Sequence, residues 1–147
     1  MSAPQGKVVV LMADDDEADI QLARKVFEGL QERIEFRWVT SGDSLIDYLR
    51  RRGSYANVAD APRPGVVLLD LHMPGKIGWE VLHEIKSDPD LKRIPMIILT
   101  TSNAQEDVVR SYDSGANAYM TKPTSFEGLR DCLTAFERYW IEIAKLP

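Results

Sequence analysis

Val66-Val67-Leu68-Leu69-Asp70 is the most informative stretch of this sequence, because four consecutive apolar residues end on a carboxylate. A second apolar run, residues 8–12, is followed after one alanine by the acidic cluster Asp14-Asp15-Asp16. Runs this short are typical of strands that are buried on both faces of a parallel sheet. In such a sheet the side chains that bind ligands lie at the carboxyl ends of the strands. We therefore expect at least three acids in one small crevice.

A cluster of acids at one sheet edge predicts a bound cation. Crowding of carboxylates raises the pKa of at least one member of such a group. A hard divalent cation that prefers oxygen ligands keeps the group ionised, and Mg²⁺ is the ion that we predict. Asp16 is expected to cap the helix that follows.

Two further apolar strands end in groups suited to a phosphoryl group. Residues 96–99 are followed by Thr100, and residues 118–121 are followed by Lys122. The metal and Lys122 would neutralise charge on the phosphoryl oxygens, and Thr100 would donate a hydrogen bond to them. Asp70 would be the nucleophile that becomes an aspartyl phosphate.

The bulk composition predicts a single globular domain over residues 1–147, with 44% hydrophobic and 28% charged residues. A net charge of −5 disfavours nucleic acid as the main partner. A single cysteine, Cys132, leaves no intrachain disulfide. No stretch has the length of a membrane span, and residues 1–7 lack the apolar core of a signal peptide, so we predict a cytoplasmic protein.

Strand and helix patterns alternate five times along the chain, which is typical of βαβ units in a doubly wound parallel sheet. Residues 34–39 alternate charged and bulky side chains, as an edge strand does. Ser41 or Asp43 is expected to cap the second helix, and Gly115 to end the fourth. Residues 53–64 are predicted to form a long surface loop.

This order of motifs resembles the receiver domain of two-component response regulators over about residues 8–133. The resemblance implies an α/β fold of five βα units, (βα)₅, with strand order 2-1-3-4-5. It implies that Asp70 is the phosphoacceptor, Thr100 the switch hydroxyl, Tyr119 the switch aromatic and Lys122 the family's lysine.

The resemblance also implies the metal ligands. They would be Asp15, Asp70 and the backbone carbonyl of His72, with Asp14 acting through water. The proline after the family's lysine, here Pro123, would follow a cis peptide bond.

The function implied is that of a single-domain response regulator in a phosphorelay. A histidine kinase would donate the phosphoryl group, and the chain would only accept and slowly hydrolyse it, without acting as an enzyme on other substrates. Only one predicted helix follows Pro123, too little for a DNA-binding domain, so the signal would leave by protein contact. The segments Ala18-Asp19-Ile20 and 84–95, with the long loop before the third strand, resemble stand-alone regulators paired with phytochrome-type histidine kinases.

Other functions remain open on the sequence. The chain could shuttle phosphoryl groups for a different sensor kinase. A haloacid-dehalogenase-type phosphatase also forms an aspartyl phosphate, but it needs a second Asp where this chain has His72. A flavodoxin-like cofactor binder needs a first loop that accepts phosphate, and residues 14–17 would repel one. A pure interaction domain with an inactive site is disfavoured by the intact set of candidate residues.

The last helix is predicted to extend over about residues 125–146. Its length would be about 33 Å, whereas a strand of five or six residues spans only about 17–20 Å. The sheet should therefore leave the end of the apolar stripe uncovered, with Trp140 and Ile143 exposed. We predict a homodimer with Phe136, Trp140 and Ile143 at its interface, symmetric because two-fold pairs are commonest. The alternative is that the final turns fold back or fray.

Overall fold

A five-stranded parallel sheet forms the centre of the computed structural model, which describes residues 6–75 and 77–147. Its strands are β1 Val8–Ala13, β2 Ile34–Val39, β3 Val66–Leu69, β4 Met96–Thr100 and β5 Ala118–Thr121. Their order is β2-β1-β3-β4-β5, with every neighbouring pair parallel. The predicted order is confirmed. Residues 1–5, part of the segment in which we expect no signal peptide, lie outside the described residues.

Within residues 6–75 and 77–147, five α-helices connect and cover the strands. They are α1 Glu17–Glu28, α2 Gly42–Arg50, α3 Gly78–Lys86, α4 Gln105–Asp113 and α5 Phe126–Glu137. The predicted surface loop contains two short 3₁₀ turns, Gly53–Tyr55 and Val58–Asp60. Within the described ranges, no helix combines the length and apolar character that crossing a bilayer requires.

The helix ends follow local sequence signals. Asp16 caps α1, its side chain accepting from the Asp19 N–H at 3.2 Å, as predicted. Ser41, and not Asp43, caps α2, because its hydroxyl accepts from the Ser44 N–H at 3.1 Å. Gly115 has a φ of +110°, the left-handed conformation expected of the residue that ends α4.

The core has two layers, one on each face of the sheet, as in a doubly wound fold. The layer towards α2 and α3 includes Leu45, Val81 and Leu82. The layer towards α1 and α5 includes Phe27 and Leu133. Alternate strand residues enter opposite layers, which explains why the strands are apolar on both faces.

The sheet register sets the carboxyl ends of the strands side by side. Ala13 pairs with Leu69 across β1 and β3, so the acids that follow these residues leave the sheet at the same level. Thr100 pairs with Thr121 at the ends of β4 and β5, directly before Lys122. The side chains predicted to act together therefore lie at one edge of the sheet.

The end of the chain differs from its prediction. After α5 the helix continues as a π-helical segment, Arg138–Ile143, and it ends there rather than near residue 146. Ala144 is extended, with ψ of 148°, so the helix ends before it. A Cβ atom built on Gly65, just before β3, would lie 3.3 Å from Leu146 Cδ1. Leu146 thus lies beside the amino end of β3.

The exposure predicted for the last helix is partly wrong. Phe136 is only 2% exposed and belongs to the core, so it is not available to a second copy of the chain. Trp140 is half-buried, because its ring packs against the layer under α1 and α5. Ile143, in contrast, is 66% exposed.

The prediction of a cis bond before Pro123 is also wrong, since no cis peptide occurs in the described ranges and trans is the lower-energy isomer.

Candidate functional site

Three acids meet at the carboxyl edge of β1 and β3. Asp14, Asp15 and Asp70 each present a carboxylate oxygen within 4.8 Å of the other two. Asp14 and Asp70 are buried, with 1% and 8% exposure, whereas Asp15 is exposed. The structure therefore brings together the acids that the sequence predicts, in a pocket that is open on one side.

Lys122 lies at the centre of this group. Its Nζ is 2.6 Å from Asp14 Oδ2, 2.8 Å from Asp19 Oδ2 and 3.1 Å from Asp70 Oδ2. Burial by itself lowers the pKa of Lys122, but the hydrogen bonds with Asp14 and Asp19 outweigh that effect, so the pKa is raised. Lys122 is consequently a cation at neutral pH, held against the candidate nucleophile.

Asp14 is the most strongly perturbed acid of the site. Burial raises its pKa to about 6, against the opposing effects of hydrogen bonds from Lys122 and from the backbone N–H of Asp16. Both of its oxygens are engaged, since Oδ1 accepts from the Asp16 N–H at 2.9 Å and Oδ2 contacts Lys122 Nζ. Asp14 is thus tied to the protein on both sides.

Asp70 is oriented from two directions. Its Oδ1 accepts from the backbone N–H of His72 at 3.1 Å, and its Oδ2 accepts from Lys122 Nζ at 3.1 Å. The imidazole of His72 is exposed. His72 therefore contacts Asp70 through its backbone N–H, and the metal-binding role predicted for its carbonyl stays a prediction.

Thr100 and Tyr119 lie on the neighbouring strands. Thr100 is fully buried, and its Oγ1 has no hydrogen-bond partner within the described part of the chain. Its backbone carbonyl accepts from the Lys122 N–H at 2.6 Å, which links it directly to the lysine. The half-buried Tyr119 donates its hydroxyl to the carbonyl of Ser102 at 2.7 Å, and burial raises its pKa. An unpaired buried hydroxyl is costly, so Thr100 is poised to donate to an acceptor that reaches it.

One member of the site was missed on the sequence. Asp19, in the first turn of α1, contacts Lys122 at 2.8 Å. The signal that could have found it is its position three residues after the capping Asp16, which returns its side chain to the same edge of the sheet.

The donor set suits a hard divalent cation. All three clustered groups offer carboxylate oxygens, the ligands that such cations prefer. The Asp15 carboxylate has no hydrogen-bond or ion-pair partner among residues 6–75 and 77–147, so it is free to coordinate. A nucleophilic carboxylate, an ammonium, an unpaired hydroxyl and a cation site together form the parts needed to accept a phosphoryl group.

Comparison with known proteins agrees with this geometry. The family model described as "Response regulator receiver domain" matches residues 10–134. The response regulator Rcp1 of Synechocystis sp. is 39% identical over 139 residues, which cover 95% of this chain and 92% of Rcp1.

Solved structures show the same likeness. The phosphorylated cyanobacterial phytochrome response regulator RcpA is 40% identical, with a TM-score of 0.90 and coverage of 96% of this chain and 99% of RcpA. The Mn²⁺-bound form of Rcp1 is 38% identical, with a TM-score of 0.88 and coverage of 95% of this chain and 99% of Rcp1. The similarity therefore extends over nearly the full length of both relatives.

Proposed function

The chain belongs to the response regulator receiver family, and from this premise we propose that it accepts a phosphoryl group on Asp70 from a histidine kinase. The observation that carries the proposal is the position of Asp70, with Lys122 Nζ at 3.1 Å and two further acids clustered within 4.8 Å. This arrangement combines a nucleophile, a fixed cation and oxygen ligands at one point.

The transfer is a substitution at phosphorus. An oxygen of the Asp70 carboxylate attacks the phosphorus of the donor phosphohistidine, the P–N bond breaks, and its electron pair returns to the imidazole. Lys122 balances charge on the phosphoryl oxygens, and Thr100 donates its otherwise unpaired hydroxyl to one of them. Bound Mg²⁺ would supply further charge neutralisation, held by Asp15, Asp70 and the His72 carbonyl, with Asp14 acting through water.

The reaction ends with hydrolysis on the same chain. Water attacks the aspartyl phosphate, inorganic phosphate leaves, and the Asp70 carboxylate is restored. The chain thus serves as phosphoacceptor and not as an enzyme for other substrates. A haloacid-dehalogenase-type phosphatase activity is disfavoured, because the required second Asp is replaced by His72, whose imidazole is exposed.

The signal would pass by contact with another protein. We propose that residues 1–147 act as one receiver domain without binding DNA, and that Thr100 and Tyr119 change position on phosphorylation. Tyr119 is hydrogen-bonded to the loop after β4, so movement of that loop would be transmitted to β5.

The proposed donor is a phytochrome-type histidine kinase. RcpA, 40% identical, is a phytochrome response regulator, and this likeness supports the assignment. Phosphotransfer profiling checks it: the purified chain should be phosphorylated faster by a phytochrome-type kinase than by unrelated sensor kinases. Equal or preferential transfer from another class would favour the alternative, a shuttle for a different sensor.

We also propose a homodimer through the end of the last helix. Tyr139 and Ile143 are 53% and 66% exposed and lie four residues apart, hence on neighbouring positions of one helical face. With Phe136 in the core and Trp140 half-buried, Ile143 is the central residue of this proposed interface.

Asp70→Asn tests the phosphoacceptor directly. The amide has nearly the same shape but is a poor nucleophile, so we expect uptake of phosphoryl from acetyl phosphate or a kinase to be abolished while the fold is retained. Intact-protein mass spectrometry and gel-shift electrophoresis measure the uptake, with Asp131→Asn, an exposed acid on α5, as control. A stable aspartyl phosphate at another residue of the Asp70→Asn variant would show the assignment to be wrong.

A further inference from the structure

The loop between β4 and α4, residues 101–104, is bound on both sides through Ser102. The hydroxyl of Ser102 donates to Asp107 Oδ2 at 2.5 Å, and its backbone carbonyl accepts from the Tyr119 hydroxyl at 2.7 Å. The Ala104 N–H also donates to Ser102 Oγ, at 3.3 Å. Because Ser102 follows Thr100 by only two residues, these bonds restrict the segment that carries the Thr100 hydroxyl.

Asp107 can restrain this loop because it is itself anchored. It lies in the first turn of α4, and its backbone carbonyl accepts from the Ser111 hydroxyl at 2.8 Å. Ser111 is fully buried and accepts from Trp79 Nε1, on α3, at 3.1 Å. The guanidinium of Arg110 lies 4.1 Å from the centre of the Trp79 ring, a second contact between the two helices.

We propose that Asp107 is a positioning residue for phosphoryl transfer, acting through Ser102 to restrain the loop next to Thr100 and Tyr119 until Asp70 is phosphorylated. The inference rests on the function proposed above and adds a residue that lies outside the phosphoacceptor pocket. A hydrogen bond to an ionised acceptor is stronger than a neutral one, so it can hold a short loop against thermal motion. Holding the donor hydroxyl in place before the reaction lowers the entropic cost of reaching the transition state.

A carboxylate in the first turn of α4 also stabilises the helix itself. The experiment has to distinguish this structural role from the positioning role. Acids in the first turn of a helix interact favourably with the helix dipole. Glu106 is in the same turn and is exposed, and no contact joins it to Ser102 among the hydrogen bonds of the described residues. Glu106→Ala therefore removes the dipole interaction but leaves the Ser102–Asp107 bond, which makes it the matched control.

The test compares rates of phosphorylation by acetyl phosphate with Mg²⁺ in the full chain. Asp107→Ala is expected to be slowed about ten-fold, the effect of one charge-assisted hydrogen bond. Asp107→Asn, whose amide oxygen still accepts from the Ser102 hydroxyl, should recover most of the rate, and Glu106→Ala should match the wild type. Ser102→Ala combined with Asp107→Ala should be no slower than either single variant, because both remove the same bond.

A second readout follows the loop independently of the reaction. In protein labelled with fluorotyrosine, the Tyr119 resonance, assigned with Tyr119→Phe, should shift in Asp107→Ala and stay unchanged in Glu106→Ala. The positioning role is overturned if Asp107→Ala reacts at the wild-type rate, or if Glu106→Ala is slowed equally. It is also overturned if Asp107→Ala is slowed but Asp107→Asn is not rescued and the double variant shows additive losses. A wild-type chain that takes up no phosphoryl group would defeat the proposed function itself, which distinguishes the two failures.

Discussion

Individual acids of the site differ in how many of their oxygens are already bonded. Both oxygens of Asp14 are engaged, one by the Asp16 N–H and one by Lys122. Asp15 is exposed and has no such partner among the described residues. A cation that enters the pocket can therefore coordinate Asp15 directly without breaking a protein contact, whereas direct coordination by Asp14 would compete with an ion pair.

Removal of these two acids should accordingly have unequal effects on metal binding. Asp15→Ala is expected to weaken Mg²⁺ binding by more than about ten-fold, and Asp14→Ala by less, because outer partners contribute less than ligands. Isothermal titration calorimetry with Mg²⁺ measures both, with Asp131→Ala as control for an exposed acid elsewhere. Equal losses in the two variants, or full phosphorylation in EDTA, would contradict the ligand assignment.

Among the secondary-structure elements, α3 is joined to the segments before β4 and β5 by one lysine that makes three hydrogen bonds. Lys86, the last residue of α3, donates from Nζ to the carbonyls of Lys92 and Ile94 and to the side chain of Asn117, at 2.9, 2.9 and 3.0 Å. Burial lowers the pKa of Lys86. Its contacts connect the end of α3 with the segments that lead into β4 and β5.

Replacing this lysine by an apolar residue tests its structural role. Lys86→Met should reduce the free energy of unfolding by about 1–3 kcal/mol, because it removes three hydrogen bonds, one of them to the carbonyl of the buried Ile94. Urea denaturation followed by circular dichroism measures the change. Lys92→Met is the matched control, since the Lys92 side chain is exposed and only its carbonyl takes part. A loss in Lys92→Met as large as that in Lys86→Met would show that the hydrogen bonds of the Lys86 ammonium are not its cause.

The junction of α5 with the π-helical segment contains a buried acid. Glu137 is only 4% exposed, and burial raises its pKa from the ordinary 4.5, although Arg33 opposes the shift from 3.5 Å. The folded state therefore binds this proton more tightly than the unfolded chain does. The stabilising effect of Glu137 is fully present below about pH 4.5 and is lost as the pH rises through its raised pKa.

Glu137→Gln should therefore be more stable than the wild type at neutral pH, with the difference vanishing towards about pH 4. Arg33 keeps a partner in this variant, since its Nη1 lies 2.5 Å from Glu142. Thermal unfolding across the pH range measures the effect. Glu142→Gln, which removes a more exposed carboxylate, should change stability little. A Glu137→Gln variant that is less stable at every pH would mean that the ion pair with Arg33 outweighs the cost of burial.

At the scale of the whole molecule, the apolar stripe of the last helix is only partly covered. Leu133 and Phe136 lie in the core, and Trp140 packs against it. Tyr139 and Ile143 remain exposed. Any homodimer built here is expected to depend on a few side chains.

Ile143→Glu should therefore reduce self-association by at least about ten-fold, since it places a charge at the centre of the proposed interface. Analytical ultracentrifugation at micromolar concentration, with and without phosphorylation, measures it. Val58→Glu, at an apolar residue of the second 3₁₀ turn that is 55% exposed, is the control. A wild-type monomer in both states, or a dimer unaffected by Ile143→Glu, would refute the interface.

The parallel α/β fold and the main residues of the site could be predicted from the sequence pattern, whereas the strand order came from the resemblance to receiver domains. Each apolar run is short and continuous, and the residue at its end carries distinctive chemistry, as Asp70 and Lys122 do. Parallel strands joined by helices place their carboxyl ends at one edge, so local patterns sufficed to bring Asp14, Asp15 and Asp70 together.

Tertiary packing alone settled the remaining contacts. The attachment of Asp19 to Lys122, the bond between Ser102 and Asp107, and the burial of Trp140 each depend on the distance between elements and on side-chain direction. Hydrophobic periodicity specifies which face of a helix is apolar, but not how much of that face a neighbouring segment will cover. The path of the last residues was beyond prediction for the same reason, because the contact that places Leu146 beside Gly65 joins segments far apart in the sequence.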